Sequence, residues 1–351
     1  MEQSSKTKTA VVALSGGVDS SVCCYLLKEQ GYKVVAVTGK MTNLSSAEIT
    51  CQNAKKVADN IGIEHVILDL TKDFNRNVIE YFNSTYKNGK TPNPCAMCNR
   101  TIKWGKIFDY ALNELNADIF ATGHYANIQN IGEYKTLFPA KDEKKDQMYF
   151  LYSLNQKQLN KTIFPLYKYD KTQVREIAQK IDIPSKYQKD SLDTCFIEKP
   201  QTLKEYLFDM FGEKKGNFIH INTGKILGEH SGFYHYTIGQ RKGLEIAYSE
   251  PLYVIKIDAE NNIVYVGEKP NAYGTELTLK NLNFVYPFEE KSFDIKTKIR
   301  YNMEKVDAHV EIFEDKASMT FNEPVYSITP AQIAVFYDKT DGHLIGGGEI
   351  I

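Results

Sequence analysis

Two short stretches carry most of the chemistry that can be read from this chain. The first, Ala13 to Ser21, reads ALSGGVDSS and lies between the apolar run Ala10-Val11-Val12 and a helical pattern over Val22 to Glu29. That order predicts a glycine-rich turn from a strand into a helix. Gly16 and Gly17 let the backbone approach a ligand, and Ser15, Ser20 and Ser21 add hydroxyls. The unpaired N–H groups and dipole of a helix N-terminus favour an anion there. The loop lacks the lysine with which a Walker A sequence holds terminal phosphates. A bound ATP is therefore better suited to losing pyrophosphate than a single phosphate, with Asp19 the natural partner for Mg2+. The implied chemistry is adenylation. A serine/glycine turn without a ligand is the plainer alternative, and the strand, turn and helix in the required order argue against it.

The second stretch, Thr91 to Lys103, reads TPNPCAMCNRTIK. Its two prolines forbid a regular helix up to Pro94, which predicts that Cys95 and Cys98 lie on a stiff, exposed loop. A lone CxxC is open to zinc binding, dithiol redox chemistry or coincidence, and neither a second CxxC nor paired histidines at ligand spacing accompany it. A further isolated thiol, Cys195, follows the polar segment Lys189 to Thr194 and precedes Phe196-Ile197. Cys23, Cys24 and Cys51 fall on apolar-patterned helices and read as buried bystanders.

The elements that must position these groups follow from periodicity. From Thr9 to about Ile183, strand-like runs (Ala10 to Leu14, Lys33 to Val37, His65 to Leu68, Asp118 to Thr122) alternate with helical patterns (Val22 to Glu29, Ala47 to Ile61, Trp104 to Leu115). This is βαβ order. It predicts an α/β unit with a mainly parallel sheet covered by helices on both faces, and ligands at the carboxyl ends of its strands. The loop after the first strand, Thr38 to Lys40, and Thr122-Gly123-His124 meet that rule. After about Lys199 short alternating runs separated by turn residues predict a mostly β half ending in a small barrel or sandwich. A boundary is expected near Tyr273.

At 351 residues the chain suits two or three domains. Lys plus Arg is 43 against 44 acidic residues, a net charge of -1, so any RNA site must be a local basic patch. Lys103, Lys106, Lys145, Arg241 and Lys242 are the candidate phosphate contacts. No apolar run approaches a membrane span and the start MEQSSKTKTA has no apolar core, so a cytoplasmic protein without a membrane partner is expected. Six cysteines at irregular spacing in such a chain do not suggest a disulfide framework.

SGGVDSS resembles the pyrophosphate loop of the ATP pyrophosphatase family. Together with TPNPCxxCNxxIKxG, ATGHYA, KDQxYFLY, DSxxxCFI and YTIGQRKGL, it resembles the tRNA-specific 2-thiouridylases from Val11 to the closing Ile345-Gly346-Gly347-Gly348. The resemblance implies an adenine nucleotide alpha hydrolase-like domain (1–205), a small mixed or β central tRNA-binding domain (206–273) and a C-terminal tRNA-binding β-barrel (274–351). It implies sulfur transfer to C2 of the wobble uridine. ATP would lie against Ala13, Leu14, Ser15, Gly16, Gly17, Val18, Asp19 and Ser20 and the backbone near Gly39 and Gly123. Asn93, Pro94 and Cys95 would line the base, and Cys98 and Cys195 would be the catalytic pair, closing to a disulfide. His124, Lys145, Asp146, Gln147, Arg300, Tyr301 and Gln332 would contact tRNA.

The partners so implied are tRNAs with Lys, Glu and Gln acceptors and a sulfur donor, either a cysteine desulfurase or a persulfide carrier. The cofactors are ATP and Mg2+. Cys95, Cys98 and Cys195 also allow a second reading, as ligands to three irons of a 4Fe-4S cluster. The chain departs from the family pattern in three places. Lys40 to Thr50 is short where an acidic insert is usual, Gly243 to Pro251 is abbreviated, and Ala331 stands beside Gln332 where glycine is common.

Overall fold

A computed structural model describes residues 7–187 and 194–351. The first domain is built on five parallel strands: β1 (Thr9–Ala13), β2 (Lys33–Lys40), β3 (Glu64–Asp69), β4 (Ile119–Thr122) and, after the hairpin of β5 (Asn127–Ile131) and β6 (Tyr134–Phe138), β7 (Thr162–Ile163). Their order is β3-β2-β1-β4-β7. Alternation along β1 shows why the sheet is covered on both faces. Val11 packs with Val35, Val37, Trp104 and Phe120 on one side, whereas Ala10 and Val12 pack on the other with Val22, Leu26 and Leu27 from the helix Val18–Glu29 and Ala54, Val57 and Ala58 from Ser45–Ile61. Each fully buried Val or Leu contributes about 1.5–3 kcal/mol, so both helices are fixed on the sheet. The loops at the strand ends inherit that rigidity.

The expected loop through the CxxC is instead the start of a helix. Helical structure runs from Pro94–Cys98 through a π-helical stretch, Asn99–Ile107, into Phe108–Asn113. Proline costs nothing at the first helical position, where its missing N–H has no partner anyway. Asn93 caps the end by accepting the Ala96 N–H at 3.1 Å. Cys95 and Cys98, three apart, therefore share one face.

The second unit is a mixed four-stranded sheet, order β10-β11-β8-β9, of β8 (Gly216–His220), β9 (Ile226–His230), β10 (Tyr253–Asp258) and β11 (Ile263–Gly267). Its β8 and β11 pair in parallel, and the other pairs are antiparallel. The third is a closed antiparallel barrel of β12 (Tyr273–Phe284), β13 (Ser292–Lys298), β14 (Val306–Phe313), β15 (Lys316–Tyr326), β16 (Ile333–Tyr337) and β17 (Leu344–Ile350). Tyr273, near which a boundary is expected, begins the first strand of the barrel. The barrel is pinned to the first domain by side chains that satisfy carbonyls across the junction: Tyr149 donates to the Ile333 carbonyl at 3.0 Å and Asn283 to that of Tyr152 at 2.8 Å. Among the described residues no helix is long and apolar enough to cross a membrane.

Candidate active site

The phosphate loop is organised by its own residues. The Ser15 N–H and hydroxyl both lie 3.2 Å from the Ser20 hydroxyl, and Ser20 and Ser21 donate to the Gly17 carbonyl at 3.2 and 2.8 Å. Gly16 has φ of +73°, and a Cβ there would come within 2.9 Å of the Ala54 backbone nitrogen, so only glycine fits both the conformation and the space. Asp19 lies in the first turn of the helix, at the carboxyl end of β1, with its carboxylate held by two groups. Lys171 donates to its two oxygens at 2.7 and 2.8 Å, and the Tyr125 hydroxyl donates at 3.0 Å.

The thiols are organised differently, by two segments remote in sequence. Cys95 and Cys195 belong to exposed residues and Cys98 to a half-exposed one, and all are unpaired. Cys195 is positioned by two side chains that follow it in the chain. Phe196, 4% exposed, packs edge-on against Phe82 at 5.0 Å and Phe74 at 5.8 Å. Glu198 accepts the Ser46 N–H at 2.6 Å at the start of the helix Ser45–Ile61. The Asp190 and Ser191 of the DSxxxCFI motif lie outside the described residues.

Although Cys95 and Cys195 are exposed as whole residues, the three thiol groups lie near one another in a shallow hollow where surrounding protein desolvates the sulfurs. Burial pushes Cys98 up to about 12 and Cys195 up to about 11, and raises Cys95. The thiols are near enough that the charge on one raises the pKa of another, while the Lys103 ammonium pulls all three down. Lys103 reaches them because of the π-helical stretch. An α-helix would turn position i+5 away from Cys98, but five-residue hydrogen bonding brings it back toward the same face. Among the described residues Asp338, Asp341 and His343 are the only three such donors within 4.8 Å of one another, so the thiols are spread more widely than one small ion requires.

One loop joins the two halves. At the carboxyl end of β4, Gly123 lies so close to the helix Val18–Glu29 that a Cβ on it would meet the Ser20 nitrogen at 2.7 Å. The next residue, His124, is buried against Trp104 and receives a long 3.5 Å contact from Lys103 at Nε2, with Nδ1 2.7 Å from the Thr122 hydroxyl. Lysine can only donate, so Nε2 accepts and the proton belongs on Nδ1. Burial, helped by the Lys103 cation, holds His124 well below the usual histidine range, so it is neutral at pH 7. Tyr125 then turns back to Asp19.

Family models described as a tRNA methyl transferase HUP domain, a tRNA methyl transferase PRC-barrel domain and an aminomethyltransferase β-barrel domain match residues 8–199, 204–268 and 274–350. The tRNA-specific 2-thiouridylase MnmA of Carboxydothermus hydrogenoformans is 42% identical over 362 residues, 98% of this chain and 97% of the relative. Its namesake in Aquifex aeolicus is 40% identical over 97% of this chain and 98% of the relative. The chain belongs to the tRNA-specific 2-thiouridylase family. Among solved structures, a 4-thiouridine synthetase–RNA complex with bound ATP aligns over 54% of this chain and 45% of that one, at 21% identity and a TM-score of 0.38.

Several residues that the family pattern assigns to tRNA are engaged within the fold. Arg300 donates to the Ile238 carbonyl at 2.9 Å and to the Ser327 hydroxyl at 2.6 Å, tying barrel to central domain. Tyr301 packs against Phe150, with ring centroids 4.6 Å apart and the planes tilted by 39°. Gln332 donates to the carbonyls of Thr91 and Pro92 at 3.0 and 3.1 Å, which fixes the approach to Asn93. Asp146 accepts the N–H groups of Ala140 and Met148, and the Gln147 side chain accepts that of Tyr125 at 3.1 Å. Lys145 is half-exposed beside them. Lys106 is paired with Asp73 at 2.8 Å. Gly39, at the end of β2, is enclosed by Met41 and Leu70, where a Cβ would come within 2.8 and 3.0 Å of their side chains. Cys23, Cys24 and Cys51 are buried as expected.

Sequence reasoning missed Lys171 and Tyr125. The signal for the first was present: Asp170 and Gln173 form a capping box that marks Lys171 as the first residue of the helix Lys171–Lys180.

Proposed function

We propose that this enzyme thiolates C2 of the wobble uridine of tRNA in two steps, adenylation of the base by ATP and replacement of AMP by sulfur from a persulfide on Cys195. The observation that carries the reading is the run Thr122 to Tyr125, whose consecutive residues touch the phosphate loop and the Lys103 that influences all three thiols. A single base bound there would lie within reach of both.

In the first step the uracil O2 attacks the α-phosphorus of Mg–ATP and the bond to pyrophosphate breaks. The charge that develops on the leaving group faces the helix N-terminus and loop N–H groups after Gly16. Mg2+ held by Asp19 would neutralise part of that charge. Asn93, Pro94 and Cys95 line the base, which leaves the anticodon stack at a cost on the order of a few kcal/mol. In the second step the outer sulfur of the Cys195 persulfide attacks C2 and AMP departs with the C2–O bond. The Cys98 thiolate then attacks the Cys195 sulfur, the S–S electron pair stays on the base as its new sulfur, and a Cys98–Cys195 disulfide forms. An external dithiol reopens it. A cysteine desulfurase or persulfide carrier reloads Cys195, and tRNAs with Lys, Glu and Gln acceptors are the expected substrates.

The shared hollow also supports a second reading, in which Cys95, Cys98 and Cys195 hold a 4Fe-4S cluster whose open iron would bind hydrosulfide. Three thiols on two anchored segments suit such a group, although burial keeps them protonated and the Lys103 ammonium opposes it only in part. An anaerobically purified enzyme that is active without iron or acid-labile sulfide decides for the persulfide.

The test of the main reading is pyrophosphate release from Mg–ATP on addition of unmodified tRNA, with mass analysis of the wobble nucleoside. Release followed by 2-thiouridine once a persulfide donor is added is expected. No tRNA-dependent release would end the proposal.

A further inference from the structure

We infer that the groove between the helix Leu203–Phe211 and the segment Tyr234 to Gln240 is the place where a protein carrying a cysteine persulfide docks to load Cys195, with an apolar side chain of that protein filling the groove. The inference deepens the proposed function and rests on its assignment of a persulfide to Cys195.

Loading requires close approach. The Cys195 thiolate attacks the outer sulfur of the donor's persulfide, the donor's S–S bond breaks, and the donor cysteine leaves as a thiolate. The outer sulfur carries its proton across, and the exchange involves no net oxidation or reduction. A protein that brings its sulfur to bonding distance of Cys195 also covers the surface around it. A specific interface takes up about 800 Å2 on each partner, a disc of about 16 Å radius. The helix Leu203–Phe211 starts at position 203, shortly after Cys195, and falls inside that disc, because its Tyr206 ring packs at 6.1 Å on Phe196, the residue beside the thiol.

The two flanks of this helix do different things. Tyr206 faces Phe196 and Phe82. On the other flank, Leu203, Lys204 and Leu207 line a cavity of about 240 Å3 whose far walls include Tyr86, Tyr234 and His235. Tyr86, Leu207 and Tyr234 are buried, so the floor is apolar. The rim is apolar too. Leu203 is 40% exposed, and Phe208, 45% exposed, stacks on His235 with ring centroids 6.4 Å apart. Apolar side chains left in water around a cavity of side-chain size are the makings of an anchor pocket. His235 adds an unmet need: both ring nitrogens are shielded from water and, among the described residues, have no hydrogen-bond partner. A polar group on the docked protein would relieve that cost. Burial, with help from the Lys204 cation and His230, pushes His235 down to about 4, so at pH 7 it is neutral and can both donate and accept. An RNA backbone fits less well, because the rim is hydrocarbon and the helix carries Glu205 and Asp209 against Lys204 alone.

The test times persulfide formation on Cys195, by mass spectrometry of its peptide, from two sulfur sources at subsaturating concentration. One is the cysteine desulfurase of the same organism supplied with cysteine, alone and with its persulfide carrier; the other is inorganic polysulfide, which needs no docking. Phe208→Glu and Leu203→Glu are each expected to slow loading from the protein at least tenfold and to leave polysulfide loading and tRNA affinity within about twofold. Phe313→Glu, at an equally exposed position on the barrel, should change none of the three. Equal slowing with both sources would mean that the helix only positions the Cys195 turn. A loss of tRNA affinity with loading kept would make the groove an RNA surface, and unchanged loading from the protein, or a wild type that polysulfide alone can load, would mean that no donor docks here. Each of these overturns the inference. Leu203 opens the helix at the surface, so its variant keeps the test decisive should Phe208→Glu fail to fold. Wild-type enzyme that neither source converts to a Cys195 persulfide would instead count against the persulfide itself, the reading on which the inference rests.

Discussion

The phosphate loop and the thiol hollow are built in opposite ways. In the loop, contacts between Ser15, Gly17, Ser20 and Ser21 close within a few residues, and the helix behind them is locked to the sheet. In the hollow, Cys98 sits on a helix and Cys195 on a turn held by one aromatic ring and one carboxylate. A loop of the first kind is preformed and binds by backbone geometry. A hollow of the second kind can be opened by loosening either anchor. On the proposed function, nucleotide cleavage falls on the locally closed loop and sulfur delivery on the segment whose two anchors can be loosened for exchange with a donor.

The sharpest way to break this comparison is to remove the sulfur. Cys195→Ser is expected to lower thiolation by more than about 10^3-fold, as loss of a covalent nucleophile does, while tRNA-dependent pyrophosphate release persists. If both activities fall together, the two halves are not separable. Phe196→Ala tests the anchor. Phe-to-Ala changes in packed cores cost about 3–5 kcal/mol. If about 3 kcal/mol of that falls on docking of the turn, thiolation drops about 100-fold with nucleotide affinity kept. Parallel assays of thiolated nucleoside and ATP binding read the split.

The same contrast explains what could be read in advance. The loop, the parallel sheet and the order of domains are local or periodic features, so contiguous residues display them. The Asp19–Lys171 pair and the contact of Gln332 with Thr91 span 152 and 241 positions, and no spacing rule reaches that far. The CxxC helix was missed because the proline rule applies to helix interiors, whereas Pro94 opens a helix that Asn93 caps. Cys98 and Cys195 as a pair came from resemblance alone.

The thiols sharpen the comparison through pH. With Cys98 pushed up to about 12 by burial, its thiolate fraction rises about tenfold per unit between pH 7 and 9.5, without a plateau. Alkylation by iodoacetamide, followed by mass spectrometry of the Cys98 peptide, should show that slope. Lys103 favours the thiolate, so Lys103→Met raises the pKa further and lowers the alkylation rate at every pH, by up to about tenfold. A plateau below pH 9 would show that burial does not govern this thiol. His124, held neutral, should add no inflection above pH 6.5.

The smallest effect expected concerns how the barrel reaches the loop before Asn93. Ala331 is buried with φ of +67°, and the adjacent Gln332 holds the Thr91 and Pro92 carbonyls. A Cβ in the left-handed region costs about 1–2 kcal/mol, and glycine would remove that cost. Glycine also frees the unfolded chain, which takes back about 0.4–1 kcal/mol. Ala331→Gly is therefore expected to stabilise by at most about 1.6 kcal/mol, a rise of at most about 2 °C in Tm, with the Gln332 contact unchanged. Thermal unfolding of the full chain measures it. A fall in Tm would mean that the Ala331 methyl gains more from burial than its backbone loses to strain, and the barrel would then owe its grip on the CxxC segment to packing at Ala331 rather than to the Gln332 amide.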